Sequence, residues 1–275
     1  MLDPVCFTVF GHAVRWYGIM LAAGFAAGLW HLTRLASREG REPGFAADLA
    51  FWIIIGGILG ARVAFVASNW GDYAARPLDI VRVDKGGLVF YGGFFGSGLA
   101  IWLFARARKT PLLHLLDYTL TALPLGHALG RIGCFINGCC HGAVHTGWLS
   151  CTYPGRSDVW TNQYYNGLIG LDAPHALPVW PVQLFEAGTN LVIYALLFAV
   201  YRRRHTDGAI VALYFMLYST ARFFLEFLRG DLSDRVTMHG LTSAQWVSLG
   251  LFAAALLLAY ILRLRKRYAQ LHRPT

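Results

Sequence analysis

The sequence predicts an all-α, polytopic membrane protein with about seven transmembrane helices, and three observations carry that reading. The 275 residues are 56% hydrophobic and only 14% charged, whereas soluble domains carry roughly 25% charged residues. Mean hydropathy is +0.46, and apolar windows recur along the chain at the length of roughly 20 residues that a helix needs to cross a bilayer. The basic residues fall in short clusters between those windows. That distribution fits membrane loops and excludes a solvated nucleic-acid face, although the net charge is +9. No nucleic-acid partner is expected; membrane lipids are.

The windows run over residues 16–35, 45–68, 86–105, 115–138, 181–201, 208–229 and 243–263. The fourth is interrupted by Pro124, His127 and Arg131, residues tolerated where a helix faces protein or water. Met1 to Phe10 contains Asp3 and no basic stretch, so no cleavable signal is expected and the first window stays as a helix. Arg34, Arg38 and Arg41 follow the first window; Arg106, Arg108 and Lys109 the third; Arg202, Arg203 and Arg204 the fifth; Arg263, Arg265, Lys266 and Arg267 the last. By the positive-inside rule the N-terminus is outside and the C-terminus cytoplasmic. The connection after the second window mildly dissents, mixing Arg76, Arg82 and Lys85 with Asp72, Asp79 and Asp84.

A single domain, 1–275, is expected, with residues 139–180 forming a small extracytoplasmic head between spans four and five. Small residues four apart (Gly24 with Gly28, Gly56 with Gly60, Gly92 with Gly96, Gly126 with Gly130) indicate close helix packing.

Ionisable residues within a span cost roughly 2.5–3.5 kcal/mol each on insertion scales, so each needs a partner or a function. In the predicted orientation Tyr17, Arg62, Tyr91, Arg131, Gln183, Glu186, Arg222, Glu226 and Arg229 all fall in the outer part of their spans. One slab of polar groups under the outer leaflet is a site; a transport pathway would place groups near the midplane and in both halves. The slab reads as positive, four arginines against Glu186 and Glu226. The abundant anion at that depth is a phospholipid phosphate, which guanidinium groups grip in bidentate fashion. Tyr218, Arg222, Glu226 and Arg229 share one helical stripe, as do His127, Arg131 and Cys134, and Gln183, Glu186 and Asn190. A plain intrahelical ion pair is the structural alternative for Arg222 and Glu226, and a packing histidine the alternative for His127.

The segment Gly130-Arg-Ile-Gly-Cys-Phe-Ile-Asn-Gly138 resembles the prolipoprotein diacylglyceryl transferase signature, G-R-x-G-N-F-x-N-G-E. Arg15-Trp-Tyr-Gly18, Gly86-Gly-Leu-Val-Phe-Tyr-Gly-Gly93, Pro181-Val-Gln-Leu-Phe-Glu186 and Arg222-Phe-Phe-Leu-Glu-Phe-Leu-Arg229 are similar to further family motifs, in the family's order. The resemblance implies a seven-helix enzyme of the bacterial cytoplasmic (inner) membrane. Such an enzyme moves the diacylglyceryl group of phosphatidylglycerol onto the lipobox cysteine in the signal peptide of a preprolipoprotein, releasing glycerol phosphate. It also implies that Arg131 and Arg222 hold the phosphate, with Tyr91 and Glu226 beside them as catalytic groups. Tyr17, Arg62, His127, Asn137, Gly138, Gln183, Glu186 and Arg229 would shape the substrate site.

The chain departs from the family where protons are handled: Tyr91 stands for a common histidine, Cys134 for asparagine, Cys139 for glutamate and Ala143 for arginine. Tyrosine is a weak base at neutral pH, which leaves the arginine field alone or His127 as alternatives for ionising the acceptor thiol. Cys6, Cys134, Cys139, Cys140 and Cys151 all fall at or beyond the outer side, with His141 and His145 among them. Their spacing lacks paired C-x-x-C ligands, so no metal and no cofactor is expected. A disulfide from Cys139 or Cys140 to Cys151 fits an oxidising compartment better, with packing thiols as the other alternative. A transporter, a paralogue with another acceptor, and an intramembrane serine protease using Ser97 and His127 are the competing readings.

Overall fold

The computed structural model describes residues 4–74, 76–82, 86–203, 206–231 and 238–271. Asp3, Asp84, Lys85 and Arg204, which enter the charge pattern above, lie outside the described residues. Among the described residues, five helices are long and apolar enough to cross a membrane: Trp16–Arg38, Phe45–Ser68, Val182–Tyr201, Ala209–Leu228 and Ser243–Arg267. The chain divides into two compact units, one from Leu29–Thr119 and the other from the chain up to Gly28 with the chain from Leu120 onward.

In the unit Leu29–Thr119, helix α1 (Trp16–Arg38) supplies its second half, followed by α2 (Phe45–Ser68), the short α3 (Trp70–Ala74), α4 (Phe90–Ala107) and α5 (Leu112–Leu120). Helices α2 and α4 pack along their glycines. A methyl group added at Gly60 would come within 2.8 Å of the Gly96 Cα, so backbone meets backbone there, as small-xxx-small pairs allow. Ser97 donates to the Ile53 carbonyl at 3.1 Å, which spends the hydroxyl of the candidate protease serine on holding the two helices together. Phe45, Phe104 and Tyr118 form edge-to-face pairs in a small core with Leu49 and Leu115. The third window starts late as a helix, at Phe90, because Gly86 and Gly87 both take left-handed backbone.

The other unit opens with a feature the windows do not show, a β-hairpin of β1 (Val5–Val9) and β2 (His12–Arg15). Phe10 and Gly11 turn it, both at positive φ, the pattern of a two-residue turn that follows strand twist. The all-α reading is corrected by that much. Helix α6 (Leu123–Asn137) packs on α8 (Val182–Tyr201), α8 on α9 (Ala209–Leu225), and α9 on α10 (Ser243–Leu271). The first half of α1 joins them, with Gly24 beside Gly126 and Tyr17 beside Gly133. The fourth window is therefore two helices, broken at residues 121–122. Pro124 in the first turn of α6 has no N–H to continue the preceding ladder and its ring crowds the turn before it.

The head over residues 139–180 carries α7 (Asp158–Tyr165), capped by Ser157, whose hydroxyl accepts from the Trp160 N–H at 3.2 Å. Tyr153, Val159, Trp160, Ala176 and Val179 make its core. Burial pushes the Tyr153 phenol well above its ordinary range, and the hydroxyl donates to the Phe135 carbonyl at 3.0 Å, tying the head to α6. Many large apolar side chains along α8 and α10 are exposed, among them Leu191, Val192, Leu256 and Leu257. That is the surface a bilayer covers.

Candidate active site

The C-terminal end of α6, the N-terminal end of α8, the C-terminal end of α9 and the start of α10 lie together, and each brings polar side chains. On α6, His127 and Arg131 are one turn apart, and the Arg131 Nε donates to the His127 Nε2 at 3.2 Å. Arg131 Nη2 lies 3.1 Å from the Glu186 Oε1 on α8, and His127 Nε2 lies 3.4 Å from the same oxygen. One ring nitrogen cannot accept from Arg131 and donate to Glu186 at once. Tyr218 of α9 packs its ring 5.5 Å from that imidazole.

On α9, Arg222 is ion-paired through Nη1 with Glu226, one turn later. Glu226 Oε1 accepts from the Thr242 hydroxyl at 2.9 Å. Thr242 and Gln245 form a capping box at the start of α10: the Thr242 N–H donates to Gln245 Oε1 at 3.0 Å, and the Gln245 N–H to the Thr242 hydroxyl at 3.3 Å. One hydroxyl thus caps a helix and fixes a site carboxylate. Arg229 is held in bidentate fashion by Asp231, 2.8 Å from Nε to Oδ1.

Glu186 and Glu226 are almost fully buried, but the Arg131 and Arg222 side chains keep 16% and 15% of their surface. Both side chains thus keep some open surface, although the Arg222 Nη1 atom is itself buried. Glu186 lies within the electrostatic reach of both arginines, so the two face one cluster. The expected positive balance is corrected: Arg131, Arg222 and Arg229 are matched in this unit by Glu186, Glu226 and Asp231. Asp231 lies just beyond the sixth apolar window, 208–229.

The signature's end serves as scaffold. Gly138 caps α6 in left-handed backbone, its N–H on the Cys134 carbonyl at 2.9 Å. Asn137 Nδ2 donates to Asp158 of α7 at 3.3 Å, and the buried Gln183 Nε2 donates to the Cys139 carbonyl at 2.8 Å. Beyond it, Gly142 N–H reaches the Trp180 carbonyl and Ala143 N–H the Leu228 carbonyl, clamping this loop between the starts of α8 and the end of α9. Tyr17, partly exposed, lies beside Gly133 on α6.

Arg62 and Tyr91 belong to the unit Leu29–Thr119. Arg62 is buried and spends its guanidinium on backbone carbonyls of its own connection: Nε on Ile80 at 2.7 Å, Nη2 on Asp79 at 2.5 Å, and Nη1 on Gly86 and Gly87 at 2.9 and 3.2 Å. Tyr91 is largely exposed at the start of α4, its ring against Phe90.

All five cysteines are free. The expected bridge to Cys151 is corrected: Cys151 packs in the head with its thiol on the Val179 carbonyl, while Cys139 and Cys140 turn the other way, to Cys134. The Sγ atoms of these three lie within 4.8 Å of one another.

A multi-pass helical membrane protein with a buried arginine–carboxylate site at one end of its helices is the class that fold and site define. The family model of prolipoprotein diacylglyceryl transferase matches residues 4–261, and the chain belongs to that family. Similar proteins include the phosphatidylglycerol–prolipoprotein diacylglyceryl transferase of Symbiobacterium thermophilum, 32% identical over 95% of this chain and 94% of its own length. Those of Synechococcus elongatus and Burkholderia thailandensis are 31% and 35% identical, covering 95% and 93% of this chain and 88% and 93% of their own.

Proposed function

We propose that this chain transfers the diacylglyceryl group of phosphatidylglycerol to the lipobox cysteine thiol in the signal peptide of a preprolipoprotein, releasing glycerol phosphate. The observation that carries the proposal is the pair Arg131 and Arg222, each partly exposed and held by a buried glutamate on a neighbouring turn or helix, in a chain matched over residues 4–261. The relatives' names supply the two substrates. The protein sits in the bacterial cytoplasmic membrane with its site under the outer leaflet. Seven crossings, with α4 and the α5–α6 segment completing the five long helices, put the N-terminus outside and the C-terminus inside. The alternation of basic loops supports that arrangement.

The acceptor thiol must become a thiolate, since a free cysteine with a pKa of about 8.5 is only a few per cent ionised at neutral pH. The thiolate attacks the glyceryl carbon and the carbon–oxygen bond breaks toward phosphate. Negative charge on the departing oxygen grows, and donors fixed beforehand lower the barrier most. Arg131 and Arg222 are those donors, and Glu186 and Glu226 hold them in place until a phosphate competes for their N–H groups. Tyr17, His127, Asn137, Gly138, Gln183 and Arg229 shape the site.

Purified protein given phosphatidylglycerol and a lipobox peptide tests the proposal. The peptide gains the mass of one diacylglyceryl unit, and a Cys-to-Ser peptide does not. Unmodified cysteine peptide after prolonged incubation with folded protein overturns it.

A further inference from the structure

Three thiols converge where α6 ends. Cys134 lies in the last turn of the helix, Gly138 caps it at positive φ, and Cys140 itself takes left-handed backbone at φ 57°. Only a few per cent of non-glycine residues adopt that conformation, and it costs about 1–3 kcal/mol when surroundings enforce it. Its effect is to bring two consecutive side chains, Cys139 and Cys140, to one place. Their Sγ atoms and that of Cys134 lie within 4.8 Å of one another. Gln183 braces the turn through the Cys139 carbonyl. The next residue, His141, is turned elsewhere, its Nδ1 at 2.9 Å from the Gly142 oxygen.

We propose that Cys134, Cys139 and Cys140 bind a zinc ion whose fourth position takes the acceptor's cysteine thiol as thiolate, a role that rests on the transferase reading above. Zinc–thiolate bonds of about 2.3 Å put three sulfurs of a tetrahedron roughly 3.8 Å apart, so the cluster needs to contract by about an ångström. Three protein ligands and an open fourth position are the arrangement of a reactive zinc. Three thiolates around a divalent ion leave one negative charge, and Arg131 and Arg229 both act electrostatically on Cys140. The cluster also stands where this chain replaces the family's asparagine and glutamate, near Arg131, one of the two arginines proposed to grip phosphate.

In the step, the acceptor thiol gives its proton to solvent as sulfur binds zinc. A sulfur lone pair then forms the carbon–sulfur bond, and the carbon–oxygen electron pair leaves with phosphate. Zinc keeps its oxidation state, and the thioether product, a weak ligand, gives way to water.

The full-length protein, purified in detergent under reducing conditions, is assayed for zinc by elemental analysis and then loaded with cobalt. About one zinc per chain is expected, with intense sulfur-to-cobalt charge-transfer bands that shift on addition of a cysteine lipobox peptide and not of its serine counterpart. Chelation slows transfer about tenfold or more at pH 7 and makes the rate rise with pH, since the free thiol must then ionise by itself. Cys134→Asn with Cys139→Glu, which restores the family's residue types, loses the bands while keeping its thermal transition. Three alkylatable thiols without zinc, or a disulfide among them by mass, overturns the metal site. A cobalt spectrum blind to the peptide in a preparation that lipidates it overturns the activating role and leaves the transferase standing. A spectrum that shifts with the peptide, in protein that never lipidates it, supports the metal site and overturns the transferase reading alone.

Discussion

Arg62 in α2 and Arg131 in α6 are both charged groups inside apolar helices, yet the partners they have been given differ in kind. Arg62 is bound by four backbone carbonyls of the connection that follows its helix. Arg131 is bound by a carboxylate and an imidazole from side chains, and Arg222 by a carboxylate. Carbonyls fixed in a loop cannot be exchanged without unfolding the loop, whereas a carboxylate holds a guanidinium in a way that another anion can rival. The contrast separates a cation that builds structure from cations that keep a binding site ready.

The largest effect is expected where the comparison is broken on the functional side. Arg131→Gln lowers diacylglyceryl transfer by about two to three orders of magnitude, the usual consequence of losing one preorganised donor, while the thermal transition in detergent moves little. Arg62→Met does the reverse. Leaving buried carbonyls without a donor costs about 2–3 kcal/mol, read as a lower transition temperature, and turnover per folded molecule stays within about threefold of the parent. Thr242→Val tests the shared hydroxyl. Loss of the cap costs about 1 kcal/mol and a misplaced Glu226 lowers kcat about tenfold, and Thr242→Ser recovers both. Ser157→Ala is the mildest, costing about 1 kcal/mol at the start of α7, seen as faster amide exchange there with transfer unchanged.

Much of this was legible in the sequence because it is local. Hydropathy marks a span without knowledge of its neighbours, and Arg222 and Glu226 announce their pairing by lying one turn apart. The windows did not show that Arg131 meets Glu186, a contact made only once α6 packs on α8. Nor did they place Asp231, which stands just past an apolar run. One further local signal stands in the sequence, since Thr242-x-x-Gln245 ahead of an apolar stretch is a capping box, while Pro124, an interruption of the fourth window in the sequence, stands where that window breaks. The three-thiol cluster was hidden for a physical reason. Ligand spacings recognise regular helices and loops, and here a left-handed residue after a helix cap folds adjacent cysteines together.

The contact of α2 with α4 has a consequence for how this sequence can drift. Where side chains fill an interface, one that grows can be accommodated by another that shrinks. At Gly56, Gly60, Gly92 and Gly96 main-chain atoms of the facing helix occupy the space a methyl group would need, joined by the Ala100 methyl at Gly56 and the Ala64 methyl at Gly92, and main chain cannot shrink. Change at these four positions runs in one direction, with no compensating substitution across the seam, so lineages that keep this helix pair must inherit the glycines as a set.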